Sequence, residues 1–251
     1  IREGKTLLPV YEWKLCSQYN HRMATFEGIP ADERYGTRAG TNMASESQLK
    51  DKDYVSIPRY WVYKSEVEKE AKKSRFFIGF RNAISAVSDS RSLAATLLPF
   101  VGVGNGMPII QCEDSVDNPF LLLACLNSFV LDYVLRQKAS GGNLNFFIMK
   151  QLPVPSPEIL TRDISYCRKP VTDWIKERVV ELVYNSTDLN SVFENTKWHN
   201  SPFDWNLDRR LKLKSELDAL MFHVYGLTED EIDHVLESFP IVKSNEQAQY
   251  N

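Results

Sequence analysis

The stretch FLLLACLNSFVLDYVLRQKASGGNLNFFIMKQLPVP, residues 120–155, decides the fold expected for this chain. Residues 120–135 are almost all apolar. A run of about 16 residues is too long for an ordinary strand but shorter than the roughly 20 residues of a membrane span. Asn127, Ser128 and Asp132 interrupt the run, which also favours the core of a globular domain. Residues 120–135 are therefore predicted to form one buried helix.

The second half of this stretch predicts a turn, a strand and a stop. Gly141 and Gly142 break the helix, because glycine is unfavourable in a helix interior and common in turns. Residues 143–149 are expected to form a strand, and the proline-rich residues 152–155 end the unit.

Length and charge allow a globular protein with a limited basic region. The 251 residues, 43% hydrophobic and 25% charged, can build one large domain or two modest ones. Residues 1–155 carry 19 Lys and Arg against 16 Asp and Glu, a net charge of +3, whereas residues 156–251 carry 11 against 17, a net charge of −6. This difference allows DNA contact in the first part, although a random scatter of surface charge gives the same balance.

The cysteines and the N-terminal residues predict a cytoplasmic protein without membrane contact. The four cysteines are far apart in sequence, with no CxxC pair and no histidine at metal-binding spacing, so we expect neither disulfides nor a metal site. The first residues, IREGKTLLPVYEWK, contain no apolar signal segment. Because the chain starts without Met and ends at Asn251 in mid-phrase, we interpret it as a piece of a longer protein.

Periodicity and turn residues predict the remaining elements. Gly226 is expected to end an amphipathic helix around residues 213–224, and Thr228 with Glu231 forms a capping box that opens the next helix. We also expect strands at residues 75–83, 93–101 and 107–111, and a strand or strand pair at 54–63. The other expected elements are a hairpin turn at 102–106, a helix or turn at 65–74, a helix at 171–192 and a long polar loop at 28–53.

These elements predict an α+β fold with two consecutive domains. Residues 1–155 are expected to form a mixed, mostly antiparallel sheet domain with helices. Residues 156–251 are expected to form a helical domain packed on it.

Four segments resemble the C-terminal part of TaqI-like N6-adenine DNA methyltransferases. The likeness is closest to the bacterial fused restriction–methylation enzymes of type IIG and their phage-defence relatives. Trp13 stands where that family has glycine, and Arg81 and Arg91 fall on the family's arginines. The segments are YEWKLCSQYNHR at 11–22, GFRNAISAVSDSRSLAATLLPFVGVGN at 79–105, LNS with LNFFIMKQLPVP between 126 and 155, and LKSELDALMFHVYGLTEDEIDHVLESFPIV at 213–242.

This resemblance implies a target-recognition (DNA-specificity) domain over residues 1–155 and a helical C-terminal domain over 156–251. It implies double-stranded DNA and the parent's N-terminal methyltransferase domain as partners. S-adenosylmethionine, and Mg for a parent that also cleaves DNA, are implied as cofactors of the full-length parent and not of this chain.

Catalytic motifs are missing from the sequence. An adenine methyltransferase of this class needs a [DNS]-PP-[YFW] motif to hold the target amine and stack the flipped base. The chain has no such motif, no convincing glycine-rich loop for S-adenosylmethionine, and no PD-(D/E)xK nuclease pattern. We therefore expect it to recognise DNA without performing chemistry by itself.

Recognition requires cations and amides held at a rigid surface. Tyr60 and Trp61 have side chains that stack on bases, but a core position is the favoured interpretation. The candidate base-reading residues are Arg59, Arg81, Arg91, Lys138, Asn143 and Asn145. The candidate phosphate-binding or DNA-proximal residues are Lys14, His21, Arg22, Lys72, Lys73 and Arg75.

Each of these assignments has a structural alternative. Any arginine can instead form an ion pair, Arg81 with Asp89 for example, and Asn143 and Asn145 can satisfy the backbone of a turn. The rival function is a protein–protein assembly module, which docks the parent catalytic domain or another subunit without touching DNA.

Overall fold

The computed structural model describes residues 4–36, 39–71, 74–85, 89–111, 118–139, 141–160, 167 and 169–242. The chain divides into two compact units, each assembled from three separated segments. The first unit comprises Ile1–Phe80, Thr96–Ser115 and Val183–Trp205, and the second comprises Arg81–Ala95, Val116–Leu182 and Asn206–Asn251. The division therefore does not follow the single boundary expected after residue 155. The functional assignment of residues 1–155 stays a prediction.

The fold class is mixed α+β, as the sequence predicts. The strands in chain order are β1 (Leu7–Tyr11), β2 (Ala24–Thr25), β3 (Asn42–Met43), β4 (Tyr60–Tyr63), β5 (Phe77–Phe80), β6 (Ala83–Ser85), β7 (Ala95–Leu98), β8 (Gly102–Val103), β9 (Ile109–Ile110) and β10 (Gly141–Asn143). The helices are α1 (Ala31–Arg34), α2 (Glu46–Lys50), α3 (Lys64–Ala71), α4 (Asn118–Leu126), α5 (Phe129–Lys138), α6 (Phe146–Met149), α7 (Pro157–Leu160), α8 (Val171–Val183), α9 (Asn190–Phe193), α10 (Leu207–Tyr225) and α11 (Glu229–Glu237).

The sheets are small and mainly antiparallel. One has the strand order β4-β1-β8, with β1 antiparallel to β4 and parallel to β8, and another has the order β7-β5-β9, with β5 antiparallel to β9. Two-stranded antiparallel pairs join β2 to β3 and β6 to β10. Because β8 pairs with β1 and β9 pairs with β5, the expected hairpin at residues 102–106 is wrong.

The glycine at the start of β8 is explained by packing. A Cβ atom on Gly102 would lie 2.7 Å from Val62 Cγ1 and 3.2 Å from Val10 Cγ2, so only glycine lets this backbone approach β1 and β4. The GxGxG sequence at residues 102–106 therefore includes at least one glycine that the sheet itself requires.

Each unit has its own hydrophobic cluster. In the first unit, Tyr11, Leu15, Phe26, Phe77 and Leu98 are among the buried residues of one cluster. In the second unit, another cluster contains the buried residues Phe129, Val130, Phe222, Val235 and Phe239. Burial of such side chains stabilises each by about 1.5–3 kcal/mol relative to full exposure.

The long apolar run forms two helices instead of the predicted one. α4 and α5 meet at a bend of 61°. Ser128 caps α5, since its side chain accepts a hydrogen bond from Leu131 N. Asn127 leaves the helical pattern because its side-chain amide bonds both Ala95 N, at 2.9 Å, and Ala95 O, at 3.0 Å.

The strand predicted at residues 143–149 is also wrong. β10 ends at Asn143, and Asn145 then caps the short helix α6 by accepting a hydrogen bond from Ile148 N. Similarly, the region 28–53 is not one long loop. It contains α1, β3 and α2, and α2 begins with a capping box between Ser45 and Gln48.

Local end signals in the C-terminal helices are confirmed. Gly226 follows α10 with a φ of 72°, a conformation that glycine adopts without steric cost. Thr228 and Glu231 form the predicted capping box of α11. Among the described residues, no single helix is long and apolar enough to cross a membrane, and α4 with α5 is the one bent pair that passes that test together.

Candidate functional site

The structure buries two of the predicted DNA-proximal residues. Arg22 is 1% exposed, and its guanidinium donates hydrogen bonds of 2.8–3.1 Å to the backbone carbonyls of Leu49, Asp51, Tyr54 and Asn185. His21 is 2% exposed, and its Nε2 lies 2.9 Å from Asp188 Oδ2. Both side chains hold the first unit together, so we exclude them from any DNA-binding surface.

The candidate base-reading arginines form ion pairs. Arg59 makes two 2.7 Å hydrogen bonds to Glu12, and Arg91 bonds Asp132 at 3.1 Å. Arg81 bonds Asp89 at 2.9 Å, which is the alternative that the sequence left open. The side chains of Arg59 and Arg91 are each 10% exposed, and direct readout by either would require breaking a buried pair.

The other predicted phosphate-binding residues that the structure describes are Lys14 and Arg75, and neither forms a buried ion pair. Lys14 Nζ donates to Ala39 O at 3.1 Å, and Arg75 pairs with Glu194 at 3.1 Å while staying 66% exposed. An exposed pair of this kind contributes little to stability, so Arg75 stays available for phosphate contact. Lys72 and Lys73 lie outside the described residues.

Three predicted residues lie on one exposed segment of the second unit. We call it the β10–α6 surface and define it as residues 141–150 together with Lys138, the last residue of α5. Lys138, Asn143 and Asn145 are all exposed there. β10 pairs with β6 in the register Asn143↔Ala83, and the buried Leu144 anchors the segment through a 2.7 Å bond from its N–H to Asn82 O.

Two adjacent phenylalanines of this surface face solvent. Phe146 is 51% exposed and Phe147 is 75% exposed. The sequence run from 137 to 157 contains no Asp or Glu, whereas Lys138 and Lys150 contribute two positive charges. Exposed aromatic rings in an acid-free, cationic segment are the composition that stacks on bases and contacts phosphates.

Sequence reasoning also placed two aromatic residues wrongly. Tyr60 and Trp61, favoured as core residues, are 44% and 53% exposed. The Tyr60 ring lies 5.7 Å from the Tyr35 ring, and the Arg59 guanidinium lies 5.0 Å from the centre of the Tyr60 ring. Tyr35, Tyr60 and Trp61 are therefore exposed aromatic residues of the first unit.

A cavity in the first unit was not predicted at all. It has a volume of about 410 Å³ and is lined by the apolar side chains of Pro9, Val55, Trp61 and Phe100 and by the polar residues Ser56 and Asp188, among others. The residues come from β1, from β4 and the segment before it, from the turn after β7 and from residues 188–191. No sequence motif joins positions so far apart, so spacing alone gave no signal for this site.

Asp188 is the charged group of the cavity wall. Burial alone would raise the pKa of its carboxyl group. His21, a hydrogen bond from Ser186 and the positive charge of Arg22 together hold that pKa below its usual value. Asp188 is therefore ionised at neutral pH and accepts hydrogen bonds.

Ser186, His21 and Asp188 meet but do not form a hydrolytic triad. Ser186 Oγ bonds Asp188 Oδ1 at 2.5 Å and lies 3.4 Å from His21 Nε2, the same nitrogen that contacts Asp188. A triad needs the serine and the acid on opposite nitrogens of the imidazole, with an accessible nucleophile. Ser186 is fully buried, so this cluster stabilises the fold and orients Asp188.

The described residues also contain no group of three or more His, Cys, Asp or Glu side chains that could hold a metal ion.

Comparisons of the chain with protein-family models, curated proteins and solved structures find no match.

Proposed function

We propose that this chain is a DNA target-recognition module that contacts double-stranded DNA through the β10–α6 surface and performs no catalysis by itself. The observation that carries the proposal is the exposure of Phe147 within an acid-free segment flanked by Lys138 and Lys150. Lysines supply sequence-independent phosphate contacts, an exposed ring stacks on or wedges between bases, and Asn143 offers donors and acceptors for base edges.

The resemblance places this module in a larger protein. On the same proposal, the parent is a cytoplasmic, adenine-specific DNA methyltransferase or type IIG restriction–methylation enzyme that acts in phage defence. Its N-terminal part would bind S-adenosylmethionine and methylate N6 of adenine, and a parent that also cleaves DNA would need Mg. The module would select the DNA site for that catalytic domain.

The lysines test the electrostatic part of the proposal. The double variant Lys138→Ala with Lys150→Ala should weaken binding to all duplexes alike. If each lysine neutralises one phosphate, the negative slope of log K against log salt concentration should become shallower by about 2. Fluorescence anisotropy with labelled duplexes across a salt series measures both effects. The control is Lys197→Ala with Lys212→Ala, which removes the same charge elsewhere. Equal slopes for the two double variants would remove the β10–α6 surface from the proposal.

The exposed ring tests the stacking part. Phe147→Ala should cost about 1–3 kcal/mol of DNA affinity, the usual loss for one base–aromatic stack, while the melting temperature stays within about 1 °C. Leu207→Ala removes another exposed apolar side chain and is the matched control. Anisotropy and thermal melting on the same samples separate affinity from folding.

The same ring supports one rival function, an assembly module in which Phe147 enters an apolar pocket of the parent catalytic domain. In that case Phe147→Ala would leave DNA affinity unchanged and would weaken binding of this chain to the separately expressed N-terminal part of the parent. Pull-down of that N-terminal part with the unmodified chain and with the Phe147→Ala chain decides between the two functions.

A further inference from the structure

The cavity of the first unit has the features of a ligand site. Its volume of about 410 Å³ is within the roughly 300–1,000 Å³ of small-molecule pockets, which combine apolar walls with a few polar groups. Pro9, Val55 and Phe100 provide apolar wall, and Trp61, at 53% exposure, adds an aromatic face that solvent reaches.

Ser56 is a polar residue of the wall, but its hydroxyl is closed off from the cavity. Ser56 is 2% exposed, and none of the residues that the structure describes gives its Oγ a hydrogen-bond partner. The Tyr54 hydroxyl lies near Ser56 but outside hydrogen-bond geometry. Since water does not reach the Ser56 Oγ, this hydroxyl offers no hydrogen bond to a molecule in the cavity.

Asp188 is the charged residue of the wall, and its carboxylate defines which group a bound molecule must bring. Its Oδ2 receives a bond from His21 and its Oδ1 from Ser186, and each carboxylate oxygen retains a further acceptor site. An ionised carboxylate accepts hydrogen bonds and donates none. A ligand must therefore bring an N–H or O–H donor to Asp188.

We propose that this cavity binds a small aromatic ring that carries an amino group. The ring lies against the apolar wall and Trp61, and the amino group donates to Asp188. Amino-substituted heterocycles combine these features, whether as a free compound or as a base turned out of a DNA duplex. The inference stands on the cavity alone and does not depend on the β10–α6 surface.

Adenine and purine, each methylated at N9, form the test pair, because the amino group is then the sole N–H donor of adenine and purine has none. Isothermal titration of the full chain should give adenine at least tenfold tighter than purine, the loss expected for one hydrogen bond to a charged group. Val55→Trp fills the cavity from its rim and should abolish adenine binding. Leu207→Trp makes the same kind of substitution at an exposed apolar residue that does not line the cavity, and should bind adenine as the unmodified chain does.

A further arm identifies the source of the ring. A duplex with one unpaired adenine is compared with the fully paired duplex. Binding of the unpaired-adenine duplex that Val55→Trp abolishes supports the site and assigns the ring to DNA, even where free adenine does not bind.

The overturning results are equally defined. Equal affinity for adenine and purine, or unchanged adenine binding by Val55→Trp, contradicts the proposed contacts. Absence of binding by free adenine together with no Val55-dependent preference for the unpaired-adenine duplex overturns the site. Since none of these measurements uses Lys138, Lys150 or Phe147, failure here leaves the proposed DNA-recognition function untouched.

Discussion

Asp218 shows how one buried carboxyl group sets a pH response. Its Oδ1 accepts a 2.9 Å hydrogen bond from Phe129 N, and its Oδ2 lies 3.8 Å from Arg91. Burial raises the pKa of Asp218 to about 6, against the pull of Arg91 in the other direction. The folded chain therefore keeps a proton on this group at a pH where the unfolded chain has lost it.

This raised pKa gives a signed prediction for stability. Between the ordinary pKa of about 4 and the folded value of about 6, the folded state binds more protons than the unfolded state, so stability falls as pH rises. Two pKa units correspond to at most about 3 kcal/mol. Asp218→Asn keeps the acceptor for Phe129 N and removes the titration. The free energy of urea unfolding of the Asp218→Asn variant should decrease less between pH 4 and pH 7 than that of the unmodified chain.

The exposed Asp230 supplies the control for this measurement. Asp230→Asn should leave the pH slope of the parent chain unchanged. If the unfolding free energies of Asp218→Asn and of the unmodified chain depend on pH with the same slope, the proton is not held at Asp218.

At the scale of elements, the junction between α4 and α5 depends on Asn127. This side chain is 3% exposed and pairs with both backbone groups of Ala95, in the strand β7. Asn127→Ala leaves a buried N–H and a buried C=O without these partners, and each costs about 1–3 kcal/mol. We expect a loss of about 2–6 kcal/mol in the free energy of unfolding.

Denaturant unfolding measures this loss directly. Asn42→Ala is the matched variant, because Asn42 bonds Glu27 O at an exposed position and should cost well under 1 kcal/mol. A near-equal effect of the two variants would mean that the junction is held by the helices alone.

The elements also show which signals a sequence carries. Thr228, Glu231 and Gly226 act within one turn of the helix ends that they define, so their neighbours in sequence were enough to predict them. The end of α4 was missed because it depends on Ala95, a partner 32 residues away. α6 was missed because a single helical turn of apolar residues reads equally well as a strand.

At the scale of the whole molecule, the two interleaved units predict how the chain can be divided. The segment Val183–Trp205 belongs to the first unit and supplies the Asn185 carbonyl for Arg22 and the Asp188 carboxylate for His21. A fragment of residues 1–155 lacks both. We therefore expect it to melt without the cooperative transition of the full chain.

Separate expression of residues 1–155 and 156–251 tests this expectation by circular dichroism. The full chain is the reference, and a mixture of the two fragments should recover part of its transition. A cooperative transition of 1–155 alone at the melting temperature of the full chain would support two consecutive domains instead.

The candidate sites divide in the same way between local and distant information. Asn143 and Asn145 were named as candidates from the sequence and are both exposed, and their role in DNA contact stays a prediction. The pairing of Arg81 with Asp89, eight residues away, was kept open as an alternative. The cavity was missed because Ser56 and Asp188 are brought together only by the complete first unit.

The bond between Arg22 and Asn185 also fixes an order of events during protein synthesis. The two residues are 163 positions apart, and the donor is translated long before its acceptor. Until residue 185 has left the ribosome, the Arg22 guanidinium lacks one of its four carbonyl partners and His21 lacks Asp188. The polypeptide segment that is made first is therefore completed late, and a nascent chain paused before this point lacks both contacts.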